Sequence, residues 1–258
     1  MKPIRLSRGT IPVLCIHGFL GAPDDWKPMA IKIGTPFRIH AWALPGHGSE
    51  AVKDFDGAVR ALRAVLRSFR LPPHLVGYSM GGRVALAAAL QPGCGLASLT
   101  ILSAQPGLDN ARERERRAAA DDRLADRLEH AGLSRFLEEW YGLPLFNSLR
   151  ARPALRRDLL ARRARGRAPA LAGALRALTV GRQPSLWADL PRISVPTLFV
   201  AGALDGAYRA ILRRAACAVP DSHYLVVPDA GHMPHLEHPD FLGHHIRSHL
   251  QTSEERIA

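Results

Sequence analysis

The sequence is poor in cysteine, in acidic residues relative to basic ones, and in long apolar runs. Its 258 residues include three cysteines, Cys15, Cys94 and Cys217. These are too few and too scattered for a disulfide framework, so a reducing, cytoplasmic setting is expected. No stretch is long enough to span a bilayer, and no membrane anchor is expected. The apolar run Ile11 to Ile16 is too short for the core of a secretion signal and leads directly into His17-Gly18. No internal repeat and no low-complexity linker occurs, which argues against a solenoid or a tethered array. With 47% hydrophobic residues, the chain can bury a sizeable core as one large domain or a domain with an insertion.

Lys and Arg total 35 against 23 Asp and Glu, a net charge of +12. Such an excess suits an acidic partner. Its location argues against nucleic acid. Residues 107 to 187 hold 17 Arg/Lys interleaved with 10 Asp/Glu, a net of +7, and no nucleic-acid-binding module is recognisable there.

The order of elements is legible from the apolar pattern. Ile11 to Ile16 reads as a buried strand, followed by the glycine-bounded loop His17-Gly18-Phe19-Leu20-Gly21. Asp24-Asp25-Trp26 reads as a helix start, and Phe37 to Ala43 as a second strand closed by Leu44-Pro45-Gly46-His47-Gly48. Phe55, Val59, Leu62, Val65, Leu66 and Phe69 recur at helical spacing. Strands are expected again near Leu75, at Leu96 to Leu102, at Val195 to Gly202 and at Tyr224 to Val227. A last helix spans roughly Pro239 to Leu250, with a frayed tail over 251–258. Strands alternating with helices predict an α/β fold with a mostly parallel sheet covered on both faces. Residues 107 to 187 break the pattern. They contain no convincing strand, and Gly132, Pro144, Pro153, Gly166 and Gly181 divide them into four or five helices. The expected division is a core of residues 1–104 and 190–258, with a helical cap inserted at 105–189.

The stretch Leu75-Val76-Gly77-Tyr78-Ser79-Met80-Gly81-Gly82-Arg83 organises the rest. Gly-x-Ser-x-Gly between a strand and a helix is the context of a nucleophile elbow. A side chain at Gly77 or Gly81 is expected to collide with its neighbours. The serine then needs a base, and the base an orienting acid. In elbow-type hydrolases the partners follow in the order Ser, Asp or Glu, His. One later strand runs into Asp205 and the next into His232, both at the sheet edge where open α/β sheets bind ligands. Taken singly, each has a plainer explanation. Asp205 could cap the following helix, and His232 is one of 12 histidines. Asp229 is a rival acid, but it lies three residues from His232 on the same loop. The conjunction of three residues after three strands favours Ser79, His232 and Asp205 as the triad. Two backbone donors should form an oxyanion site: the N–H of Met80 and that of Phe19. His17 and His47 read as loop-shaping residues.

Together these motifs resemble the α/β-hydrolase fold over residues 11–250. That fold normally begins with a hairpin, and residues 1–10 leave room only for a trimmed N-terminal edge. A narrower resemblance is carried by four segments. They are Gly77 to Arg83, Glu139-Trp140-Tyr141-x-x-Pro144-x-Phe146-x-Ser148-Leu149, Gln183-Pro184-Ser185-Leu186-Trp187, and Gln105-Pro106-Gly107-Leu108. These are similar to the 2-succinyl-6-hydroxy-2,4-cyclohexadiene-1-carboxylate synthases of menaquinone biosynthesis. The resemblance implies a lyase that eliminates pyruvate from an enolpyruvyl cyclohexene dicarboxylate precursor. It implies a triad serving as base machinery with no acyl-enzyme, and neither metal nor cofactor. Carried over by motif, the substrate-binding arginines fall on Arg83, Arg117 and Arg163, and the aromatic pocket residues on Tyr78, Trp140 and Tyr141. The expected partner is a small anionic substrate, which arginine recognises through paired hydrogen bonds. Two other readings share the fold. A carboxylesterase or C–C bond hydrolase would use Ser79 as nucleophile, and a non-catalytic binding protein would not need the complete triad.

Overall fold

The computed structural model describes residues 2–48 and 50–256. Its seven strands are β1 (Ile4–Arg5), β2 (Ile11–Ile16), β3 (Phe37–Trp42), β4 (His74–Tyr78), β5 (Ser98–Leu102), β6 (Thr197–Gly202) and β7 (Ser222–Val227). They form one sheet in the order β1-β3-β2-β4-β5-β6-β7. All neighbours pair in parallel except β1, which runs antiparallel to β3 through Ile4 opposite Ala41 and Arg5 opposite His40. This two-residue strand is the trimmed edge expected of residues 1–10.

The helices are α1 (Lys27–Ile33), α2 (Phe55–Leu66), α3 (Ser79–Ala89), α4 (Ala111–Ala131), α5 (Leu133–Tyr141), α6 (Pro153–Arg163), α7 (Ala168–Ala177), α8 (Gly206–Ala218), α9 (Pro234–Glu237) and α10 (Pro239–Glu255). Each central strand is an apolar run because helices cover both faces, so alternate residues have no water to meet. β4 and β5 are buried along their whole length. Burying a Leu, Ile or Phe side chain contributes about 1.5–3 kcal/mol, so each such residue in these strands adds to the stability of the sheet. α2 shows how one helix is placed. Asp54 caps it, accepting from Gly57 N at 2.6 Å, and Phe55, Ala58, Val59, Leu62 and Leu66 turn its apolar stripe inward.

Between β5 and β6 no strand occurs among the described residues; α4 to α7 and short 3-10 segments fill the interval. The expected breakers act there. Gly132, at φ +81°, separates α4 from α5, and Pro153 opens α6. α4 packs along α7.

The C-terminal end differs from expectation. α10 continues to Glu255 instead of fraying after Leu250. Ser253 is buried with its hydroxyl on His249 O at 2.8 Å, and Arg256 pairs with Asp221 at 2.7 Å. Tertiary contacts hold a turn whose composition alone reads as exposed. The last two residues of the expected tail lie outside the described residues. All three cysteines are free thiols. Among the described residues, no helix is long and apolar enough to cross a membrane.

Candidate active site

The chain steps from β2 to β3 on one side and returns to β4 on the other, so the sheet reverses direction between β2 and β4. Ligands of open α/β sheets bind beyond the strand ends at such a point. The loop after β2 carries Phe19, and the turn after β4 carries Ser79. Their meeting therefore follows from the topology.

Ser79 adopts φ +50°, a left-handed conformation that few non-glycine residues tolerate. It starts α3 straight from the end of β4, so the chain turns sharply at the serine. The flanking glycines make that turn possible. A Cβ on Gly77 would lie 2.7 Å from Gly82 Cα, and one on Gly81 would press into the carbonyl of His17. The elbow is thus wedged between its own helix and the end of β2, as the glycine spacing predicts.

His232 Nε2 lies 3.2 Å from Ser79 Oγ, and His232 Nδ1 lies 2.7 Å from Asp205 Oδ2. With the carboxylate holding Nδ1–H, Nε2 is left to accept the serine proton. Both partners are buried, His232 at 2% and Asp205 at 7% exposure. Asp205 also caps α8, its Oδ1 accepting from Tyr208 N at 3.3 Å. The two readings of this aspartate are therefore compatible, because its two oxygens do different work. Asp229, the rival acid, is exposed, and among the described residues its carboxylate has no bond to His232. The Asp205 and His232 loops are locked together by Leu204 N on Ala230 O at 2.9 Å and Ala203 N on Val227 O at 2.8 Å. Glu237 grips the chain on either side of His232. It accepts from Gly231 N at 2.9 Å and from Met233 N at 3.1 Å.

Met80 is in the first turn of α3, where backbone N–H groups have no partner within the helix. Phe19 and Met80 line one cavity with Ser79 and His232. Two neutral histidines shape the Phe19 loop. Leu44 N donates to His17 Nε2 at 3.1 Å, and His17 Nδ1 donates to Gly18 O at 2.8 Å. Leu20 N donates to His47 Nε2 at 3.1 Å. Accepting an amide requires an unprotonated ring nitrogen, and burial supplies it. It lowers His17 to about 4 and His47 well below its ordinary value.

The same cavity is lined by Tyr78, Trp140, Tyr141, Arg83 and Arg117. The three expected arginines fare differently. Arg83 is 8% exposed and donates to Gln183 Oε1 at 2.7 Å and to Leu178 O at 2.6 Å. Both partners are neutral, and among the described residues no carboxylate pairs with it. Burial lowers its pKa to about 10, which leaves it cationic at pH 7. Arg117 reaches the cavity but shares Nε with both oxygens of buried Asp121 at 3.0 Å. Arg163 is not in the cavity lining. Its Nη2 is 2.6 Å from Asp25 Oδ2, and Arg162 Nη1 is 2.7 Å from Asp25 Oδ1. The helix start expected at Asp24-Asp25 exists as a 3-10 turn, Pro23–Trp26, but buried Asp25 also ties that part of the fold to α6. Arg163 reaches the cavity indirectly, through Tyr141 OH at 3.4 Å. The excess of arginine around 162–167 masks this distinction in the sequence.

Several further residues of the site received no role from the sequence, although Gln183, Trp187 and Phe146 lie in segments that carry the resemblance. Gln183 joins Arg83 to Pro106 O, which its Nε2 meets at 3.2 Å. Trp187 Nε1 donates to Gly107 O at 3.1 Å. The segments 105–108 and 183–187 therefore form one junction where the helical insertion enters and leaves the sheet. Phe146 faces His232 with ring centroids 5.9 Å apart, and Tyr208 packs on the same imidazole at 4.6 Å. Among the described residues, no group of three His, Cys, Asp or Glu side chains is arranged to hold a metal ion.

The model of the alpha/beta hydrolase family matches residues 13–243. The 2-succinyl-6-hydroxy-2,4-cyclohexadiene-1-carboxylate synthase of Salmonella typhimurium is 35% identical over 235 residues, which cover 90% of this chain and 90% of that protein. The structure of MenH from S. aureus superposes with a TM-score of 0.94 at 28% identity, covering 98% of this chain and 99% of that one. A thermophilic esterase from Thermogutta terrifontis, solved with malate bound, has a TM-score of 0.84 at 24% identity, covering 98% and 99%; that likeness speaks to the fold. With 235 residues aligned, covering 90% of this chain, the match to the synthase extends into the helical segment between β5 and β6 as well as the sheet. The chain belongs to the alpha/beta hydrolase family and, within it, to the 2-succinyl-6-hydroxy-2,4-cyclohexadiene-1-carboxylate synthases.

Proposed function

We propose that the protein eliminates pyruvate from 2-succinyl-5-enolpyruvyl-6-hydroxy-3-cyclohexene-1-carboxylate, giving 2-succinyl-6-hydroxy-2,4-cyclohexadiene-1-carboxylate for menaquinone biosynthesis. It does so in the cytoplasm, on a small anionic substrate and not on nucleic acid. Residues 105–189 act as a cap over a core of residues 1–104 and 190–258. The observation that carries this reading is Arg83: a buried cation with neutral partners, opening onto the cavity of Ser79 and His232. A buried charge without a counter-ion is costly, and a substrate carboxylate would offset that cost.

The names of substrate and product define the bonds that change. The C2 proton, next to the succinyl ketone, leaves; the ring double bond shifts from C3 to C2 and C4; and the C5–O bond breaks. Ser79 Oγ takes the C2 proton as His232 Nε2 takes the hydroxyl proton. Asp205 holds the imidazole and stabilises the imidazolium that forms. The electrons pass through the ketone as an enolate, whose oxygen the N–H groups of Phe19 and Met80 would hold. Enolpyruvate departs with those electrons, receives a proton back from His232, and tautomerises to pyruvate. Arg83 and Arg117 bind carboxylate, while Tyr78, Trp140 and Tyr141 wall the ring. Arg163 supports Tyr141 from behind.

The direct test is incubation with the enolpyruvyl precursor, following pyruvate release, with a neutral nitrophenyl ester run in parallel. Pyruvate formation with slow ester hydrolysis is expected. Fast ester hydrolysis without pyruvate would identify Ser79 as the nucleophile of a hydrolase instead.

A further inference from the structure

Tyr208 stands at a junction of the site. It is the third residue of α8, and its backbone N–H donates to the same aspartate that holds His232. Its ring lies 4.6 Å from that of His232, inclined by 59°. It lines the cavity together with Ser79, Arg83, Arg117 and Gln105. Its phenol shares a hydrogen bond with the Gln105 side chain and feels the charges of Arg117 and Arg83.

The hydrogen-bonding inventory leaves one group to account for. Burial raises the phenol's pKa, so it is a neutral O–H at pH 7. A phenol donates one hydrogen bond and accepts others. Gln105, which lines the cavity beside Tyr208, can fill the phenol's accepting side through its amide NH2. The phenolic proton is then free for a different acceptor. Arg83 and Arg117 cannot serve, because guanidinium carries donors only. A carboxylate bound between those arginines would.

We infer that the Tyr208 hydroxyl donates a hydrogen bond to the substrate carboxylate engaged by Arg83, which makes Tyr208 a binding residue that favours anionic over neutral substrates. The inference rests on the proposed activity and adds a contact to it. Because only the hydroxyl is invoked, the ring packed on His232 can be kept constant.

Tyr208→Phe removes one oxygen and keeps that ring. Steady-state pyruvate release from the enolpyruvyl precursor should show KM raised about tenfold or more, since hydrogen bonds to charged groups are among the stronger ones, with kcat within about twofold of wild type. A purely structural role would instead lower kcat or melting temperature and leave KM alone. The single variant also strands the Gln105 amide. The double variant Tyr208→Phe/Gln105→Met removes both partners and should restore stability while keeping the raised KM. An active wild type with unchanged KM in both variants overturns this inference alone. A wild type that releases no pyruvate overturns the proposed activity and the inference with it.

Discussion

The helical segment between β5 and β6, proposed above as a cap, and the sheet rim handle positive charge in opposite ways. In the cap, arginines meet carboxylates. Arg176 pairs with Asp126 and Glu129, Arg182 with Asp122, Arg156 with Glu138, and Arg127 with Glu139. Most of these pairs are at least partly exposed, where ion pairs contribute little. On the rim, one arginine in α3 is buried with only an amide and a carbonyl for company. The lesson is that the number of arginines is a poor guide to where an anion binds. The partner is what matters: a cap arginine already has its counter-charge, whereas Arg83 presents an unmatched one to the cavity. Arg163 lies between these extremes. It is as buried as Arg83 but carries its own carboxylate, Asp25.

That contrast can be broken experimentally, and the largest effect should come from the rim. Ser79→Ala and His232→Ala should each lower kcat for pyruvate release by on the order of 10⁴-fold or more, without unfolding the protein. Because the residues act as a unit, the double variant should be little worse than the worse single. Near-wild-type release by a folded Ser79→Ala protein would remove the triad from the mechanism. Asp205→Asn should fall in the same range through the wrong imidazole tautomer, with a further small loss of stability from the α8 cap.

Next in size is the tie between the cap and the rest of the fold. Arg163→Met leaves Asp25 buried with one partner fewer, and breaking a buried pair costs about 3–5 kcal/mol. Urea unfolding should report it. Asp25 also gives the tie a pH dependence. Burial alone would raise its carboxyl, but Arg163 overrides that and holds it below its ordinary 3.8. A depressed carboxylate contributes stability above the unfolded-state pKa and loses it as pH falls through the folded one. Wild type should therefore weaken below about pH 4, and Asp25→Asn should show less of that acid loss. An acid limb identical in both proteins would remove Asp25 from the account.

Arg83 sharpens the comparison from the other side. Arg83→Ala should lower kcat/KM on the anionic precursor by about 30- to 4000-fold, corresponding to about 2–5 kcal/mol for an unmatched buried charge. Arg83→Lys should rescue only part, because lysine lacks the planar fork. Hydrolysis of a neutral ester should be almost indifferent to either change. Full activity of Arg83→Ala on the precursor would contradict the role given to this residue. The smallest effect belongs to exposed cap arginines. Arg135→Ala should change stability by no more than about 0.5 kcal/mol and leave KM where it was. A large KM effect there would mean that the cap's bulk charge, and not Arg83, recognises the substrate.

The sequence alone determined the α/β alternation, the mostly parallel sheet, a strand-free helical stretch between two of its strands, and which serine, aspartate and histidine stand after which strands. These are local matters of apolar runs, glycine spacing and chain order, and such signals survive without coordinates. It also pointed to Arg83, through the motif that carries the family resemblance. Tertiary structure alone decided the rest. The pairing of Arg163 with Asp25 and of Gln183 with Arg83 joins residues 138 and 100 positions apart. The seating of Tyr208 on His232 and the ordered end of α10 likewise depend on what lies across the fold. A side chain's role at such places is set by its nearest counter-charge or hydrogen-bond partner. That partner is chosen by packing in three dimensions, where distance along the chain carries no information.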